Sequence, residues 1–127
     1  PPPPRDLALA PFWIERQYPV PRASSTAEHA MRERIPCVYI LASKRNGTLY
    51  IGVTSNIAQR VWQHRTGLVA GFTRQHRIHI LVWYEVHQTM ESAIAREKSL
   101  KEWKRAWKLA LIEDTNPYWR DLYPRLI

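Results

Sequence analysis

Residues 37–53 place the tightest constraint on this chain. Two short apolar runs, Cys37–Ala42 (CVYILA) and Leu49–Val53 (LYIGV), flank an Asn46-Gly47 step. β-branched and aromatic content reads as strand. Asn-Gly is the strongest short hairpin signal, because both turn positions tolerate φ > 0. A lone hairpin is marginal in water, so the rest of the chain must supply a third strand and helices to cover it. Ile78–Val86 (IHILVWYEV) is strongly β-prone and is expected as a central strand. Asn56 is placed to cap a helix from Ile57 to about Thr66, stopped at Gly67. Thr89 caps a second helical stretch, with Glu91 in its first turn. That stretch runs through Trp103, bends, and continues to about Glu113 before Pro117 ends it. The expected fold is therefore α/β (α+β): a small three-stranded, largely antiparallel sheet flanked by helices, in the order ββαβαα.

Length and charge narrow the function. The chain has 127 residues, one domain's worth, and is long enough for a core without disulfides. Its one cysteine, Cys37, excludes an internal disulfide framework and a four-thiolate zinc site, and fits a reducing cytoplasm. No apolar run approaches the ~20 residues of a membrane span. The net charge of +8 favours a polyanionic partner, nucleic acid first. Residues 1–35 hold five basic and four acidic groups, whereas residues 36–127 hold fourteen and seven. The basic character thus belongs to a domain at 36–123. Residues 1–35 form a proline-rich extension, expected as a strap or loose tail, and Met31 marks a candidate native start within it. Residues 124–127 are expected as a C-terminal tail.

Several residue groups in this body can carry chemistry. A two-residue turn at Asn46-Gly47 pairs 43 with 50 and puts Tyr39 and Tyr50 on one sheet face, with Gly52 leaving room there for a close approach. Arg60 and His64 stand one helical turn apart, a phosphate-gripping guanidinium beside a proton-shuttling imidazole. Glu97 shares a stripe with Ala93 and Leu100. It has two open readings: an i, i+4 ion pair with Lys101, or an oxygen ligand for Mg²⁺. The stretch Lys98, Lys101, Trp103, Lys104, Arg105, Trp107, Lys108 offers cations to a phosphate backbone, or a solvated helix face. Arg74, Lys101, Lys104 and Gly52 complete the expected phosphate contacts. His76, His79 and His87 lack helix-borne metal-ligand spacing.

These residues, in this order, resemble the GIY-YIG nuclease superfamily. Val38-Tyr39-Ile40 stands where the first motif ends, and Tyr50-Ile51-Gly52 is the second motif intact. Arg60 follows eight residues after Gly52, and Ala95-Arg96-Glu97-Lys98 resembles the helix bearing the family's glutamate. Asn116-Pro117 with Trp119, Asp121 and Leu122 is similar to the ending of small stand-alone bacterial members, themselves akin to the N-terminal nuclease domain of the UvrC excinuclease subunit. The match runs from Pro36 to about Tyr123. Cys37-Val38 replaces Gly-Ile, and Val53-Thr54 stands where the repair subunit has a nearby lysine.

The resemblance implies metal-assisted hydrolysis of DNA phosphodiesters, in repair or processing. Glu97 would hold Mg²⁺ or Mn²⁺, and Arg60 would stabilise the phosphorane-like transition state. Tyr50 with Tyr39 would position and deprotonate water, with His64 supplying part of the missing lysine's role. Asn116 would orient the phosphate or the tyrosines. The partner implied is DNA, branched or single-stranded forms included, and the expected state is a monomer without membrane contact. The alternative is a nucleic-acid-binding module with attenuated cleavage.

Overall fold

Strand β1 (Cys37–Ala42) is apolar at every position because it is the middle of the sheet and is buried on both faces. A computed structural model describes residues 34–67, 71 and 75–126 of the chain. Residues 1–33 of the extension expected at 1–35, the candidate start at Met31 and the contact residue Arg74 lie outside the described residues. β1 pairs antiparallel with β2 (Leu49–Thr54) on one side and with β3 (Ile80–Val86) on the other. The elements in chain order are β1, β2, α1 (Ile57–Arg65), β3, α2 (Met90–Glu102), α3 (Arg105–Thr115) and a 3₁₀ turn (Tyr123–Leu126). The ββαβαα order and the antiparallel sheet are as expected.

The place of β3 differs from expectation. It is an edge strand, not the central one. It reads as central because its outer edge is covered by the end of the chain. Leu122 N donates to Leu81 O at 2.8 Å, Leu81 N donates to the Asp121 carboxylate at 3.3 Å, and Asn116 Nδ2 donates to Val82 O at 3.1 Å. Sealed backbone groups remove the usual hazard of an apolar edge.

The hairpin turn is also wider than two residues. Ser43 N donates to Thr48 O at 3.0 Å and Gly47 N to Lys44 O at 2.9 Å, so Lys44–Gly47 forms a four-residue loop. Asn46 takes the left-handed φ of 58°. The register slides by two: Tyr39 faces Gly52 and Leu41 faces Tyr50. A shift of two conserves side-chain parity, so Tyr39 and Tyr50 share a face as expected.

Helices cover both faces. One core gathers Tyr39, Leu41, Leu81 and Tyr84 under Ala58 and Val61 of α1. The other gathers Val38, Ile40, Trp83 and Ile51 under Ala93 and Leu100 of α2 and Leu111 and Ile112 of α3. Each fully buried leucine or isoleucine contributes about 1.5–3 kcal/mol relative to exposure. Leu126 is 2% exposed and belongs to the first core, so residues 124–126 are part of the domain and not a tail.

Gly52 is where this packing is tightest. A side chain there would collide with the Tyr39 hydroxyl and ring carbons. The room that glycine leaves is filled by Tyr39, which corrects the expectation of a phosphate approach at Gly52. Gly52→Ala is expected to lower stability by about 1–3 kcal/mol through overpacking. Thermal unfolding of Gly52→Ala, Tyr39→Leu and the double variant checks this. The double variant should cost less than the two single changes together, because the smaller side chain removes the collision. Strict additivity would contradict the contact.

Candidate active site

Tyr39 and Tyr50 project toward α1, which presents Arg60 and His64 one turn apart. The helix starts where the sequence says: Asn56 Oδ1 accepts from Gln59 N at 3.2 Å. Ala58, Val61 and His64 form its buried side, so His64 is carried into the first face of the sheet. There Tyr39 Oη and His64 Nε2 lie 3.2 Å apart and share a hydrogen bond. The Tyr50 ring centroid is 6.3 Å from that of Tyr39 and 5.3 Å from that of His64. The three rings form one tilted cluster, with Tyr50 half-buried at its outer side and Tyr39 only 1% exposed.

Burial dominates the protonation of the inner pair. Tyr39 is pushed well above the ordinary tyrosine range by desolvation, then by the neighbouring Tyr50. A hydrogen bond with Arg60 and that residue's charge pull the other way and lose. His64 is pushed down to about 4, first by burial and then by Arg60. Neutral Tyr39 and neutral His64 are therefore the stable pairing near pH 7. The residues expected to share the work of a base, Tyr39, and to stand in for a lysine, His64, are thus the two that burial holds uncharged. Both are held uncharged and orient one another. Cys37, at the position of the motif's usual glycine, is buried and its thiol is raised to about 12, so it is no nucleophile.

Arg60 is half-buried, and its Nη1 donates to Gln63 Oε1 at 3.3 Å. A guanidinium has five donors, so most of its fork stays available to an anion.

Glu97 stands on the opposite layer of the sheet. Helix α2 packs against β1 and β2, and the Glu97 charge is felt at the Tyr39 hydroxyl, whose proton it holds on more firmly. The Glu97 side chain is 15% exposed, and its Oε2 stands 3.5 Å from Lys101 Nζ. The ion pair expected as one reading of Glu97 is thus present. Among the described residues no group of three His, Cys, Asp or Glu could cage a metal ion. A single accessible carboxylate still fits magnesium, which keeps waters and takes substrate phosphate as ligands.

Other expected contacts resolve differently. Asn116 is buried, and its amide is spent on the chain itself. Nδ2 donates to Val82 O and Arg120 O, and Oδ1 accepts from Arg120 N at 2.9 Å. It clips the C-terminal segment to β3 and does not orient a phosphate. Lys101 and Lys104 are exposed around the α2–α3 turn, with Lys104 Nζ 5.7 Å from the Trp107 ring.

One polar network escaped the sequence reading. Glu85, 8% exposed on β3, accepts from His87 Nε2 at 2.7 Å and from Arg96 Nε at 3.2 Å. His87 Nδ1 meets Ser92 Oγ at 2.8 Å in the first turn of α2. Glu85 and His87 stand two apart on a strand and so share a face, which was the available signal. The network ties α2 to β3 one residue before Glu97.

Several known proteins are similar to this chain. The chain is 36% identical over 77 residues to UPF0213 protein SH2523 of Staphylococcus haemolyticus, covering 61% of this chain and 93% of the relative. It is 35% identical over 77 residues to a UPF0213 protein of Staphylococcus aureus, at the same coverage. A solution NMR structure of UPF0213 protein BH0048 from Bacillus halodurans matches at 26% identity and TM-score 0.44, covering 68% of this chain and 92% of the other. Residues 35–110 match the GIY-YIG catalytic domain and span every catalytic residue considered above, and the chain belongs to the GIY-YIG family.

Proposed function

We propose that this chain is a divalent-metal-dependent endonuclease that hydrolyses DNA phosphodiester bonds in repair or processing. The observation that supports the reading is the cluster of Tyr39, Tyr50 and His64, with Arg60 one turn from His64 on α1 and Glu97 on the helix that packs over β1 and β2. Arg60 binds the scissile phosphate and stabilises the charge that builds on it. Tyr50, at the outer side of the ring cluster, orients the attacking water. Tyr39 and His64 are positioning residues: their shared hydrogen bond fixes the tilted pair of rings against which Tyr50 rests. Glu97 would hold Mg²⁺ or Mn²⁺, which when bound supplies Lewis-acid polarisation of a phosphate oxygen. The surplus of cations draws the polyanion to this surface. A single domain of this size nicks one strand as a monomer.

Labelled duplex, single-strand, flap, fork and RNA substrates, each with Mg²⁺, Mn²⁺ or EDTA, test the reading. Metal-dependent products are expected from the wild type and none from Glu97→Ala, with DNA binding retained within a few-fold. Binding across the panel without cleavage would replace the nuclease with a binding module. Arg60→Gln should lower kcat by about 100- to 1000-fold, the usual cost of one transition-state donor. A change confined to KM would reduce Arg60 to a binding role.

The neutral His64 has a consequence for pH. Folded His64 protonates near 4, against an ordinary value of 6.5. Between these values the unfolded chain holds the extra proton, so stability rises with pH. The contribution is full above about 6.5 and is lost as pH falls toward 4. Urea unfolding from pH 4 to 7 should show this slope in the wild type and a shallower one in His64→Gln. Equal slopes would remove His64 as its source.

A further inference from the structure

The cations beyond Lys101 surround a cleft that the catalytic cluster does not use. Helix α3 opens with Lys104 and Arg105, and Lys108 follows one turn on. Arg105 Nη2 donates to Asn46 O at 2.8 Å and to Gly47 O at 2.7 Å, so the hairpin tip is docked on the first turn of α3. Between them lies an open cleft of about 490 Å³, lined by Asn46, Gly47, Thr48, Leu49, Arg105 and Lys108. Lys44 and Arg45 are exposed on the hairpin beside it.

The charge around this cleft is unbalanced. The partners of Arg105 are neutral carbonyls. Among the described residues no carboxylate pairs with Lys104, Arg105 or Lys108. The first turn of α3 has no acidic residue and no side-chain cap, which adds to the positive character. Like charges gathered at a concave surface repel one another, and a bound anion relieves that repulsion.

The cleft is also joined to the catalytic site. Lys108 Nζ donates to Lys101 O at 3.4 Å, and Lys101 Nζ stands 3.5 Å from Glu97 Oε2. Glu97 and Lys101 are about 6 Å apart along α2. We propose that this cleft seats a backbone phosphate of the substrate strand away from the scissile bond, so that Lys101, Arg105 and Lys108 set the strand's path from Glu97 to the hairpin tip. The proposal rests on the nuclease reading for its geometry, while its binding test does not need cleavage.

Lys108→Gln is the informative variant, with Arg120→Gln as its charge-matched control. Arg120 lies beyond the far end of α3, stacked 5.8 Å from the Tyr118 ring. Affinity for a labelled 20-base-pair DNA is measured in EDTA over a salt series, with circular dichroism confirming that each variant is folded. Lys108→Gln should weaken binding several-fold and reduce the slope of log K against log salt by about 0.9, the loss of one phosphate contact. Arg120→Gln should leave the slope within error of wild type. Equal losses in both variants would reduce the effect to net charge and overturn the site, as would wild-type binding by Lys108→Gln. Wild type that fails to bind DNA at low salt would overturn it too. If wild type cleaves while Lys108→Gln binds normally, the cleft fails and the nuclease stands. If Lys108→Gln loses binding as described and no metal supports cleavage by wild type, the cleft stands and the nuclease fails.

Discussion

The Tyr39 ring lies over Gly52, and most of the candidate site depends on that contact. Tyr39 is on the central strand, where a large side chain would ordinarily be confined to its own strand's face. Glycine at the paired position of β2 lets the ring cross to the neighbouring strand. There its hydroxyl meets His64, and its ring shares the stack with Tyr50. The same contact accounts for the protonation of the site. A hydroxyl this deep loses its water, so it keeps its proton despite Arg60. The motif glycine is thus needed by a side chain and not by a substrate.

The sheet edges explain why the site opens where it does. Residues 116–122 close the outer edge of β3. β2 is half-buried at both ends and carries the Tyr50 and Gly52 pair. Groups from the α1 layer and from the α2 layer therefore converge at β2 and not at β3. The α2 contribution is held by ionic contacts as well as by apolar burial. Arg96 binds Glu85 and lies 5.4 Å from the Trp103 ring, while the next residue, Glu97, points its carboxylate out to Lys101. Removing one partner of a buried pair strands the other charge, which makes Glu85 and Arg96 costly to change for reasons unrelated to chemistry.

The elements were legible because they rest on local rules. Apolar runs rich in β-branched and aromatic residues marked the strands, Asn56 and Thr89 marked two helix starts, and parity put the tyrosines together even though the turn was two residues wider than read. What failed depended on contacts far apart in the chain. β3 looked central because nothing local says that Leu122 will bond its edge. Asn116 looked like a phosphate ligand because its partners at Val82 and Arg120 are made by the fold. Gly52 looked like open space because the ring that fills it comes from another strand. The raised Tyr39 hydroxyl was not legible either, because burial is not written in residue type.

Division of labour between the two basic regions follows from burial. Arg60 is half-buried beside two neutral partners, so its charge acts over short range and in low dielectric, where a developing negative charge is stabilised most. Lys104 and Arg105 are exposed, where water and salt weaken each contact, with Lys108 half-buried beside them. Under the proposed function, groups of that kind would discriminate little between ground state and transition state, and so would contribute to capture and alignment of a strand more than to its cleavage. On that proposal one domain keeps its chemistry in the ring cluster and its affinity on a cationic shelf, linked through the single turn of α2 between Glu97 and Lys101.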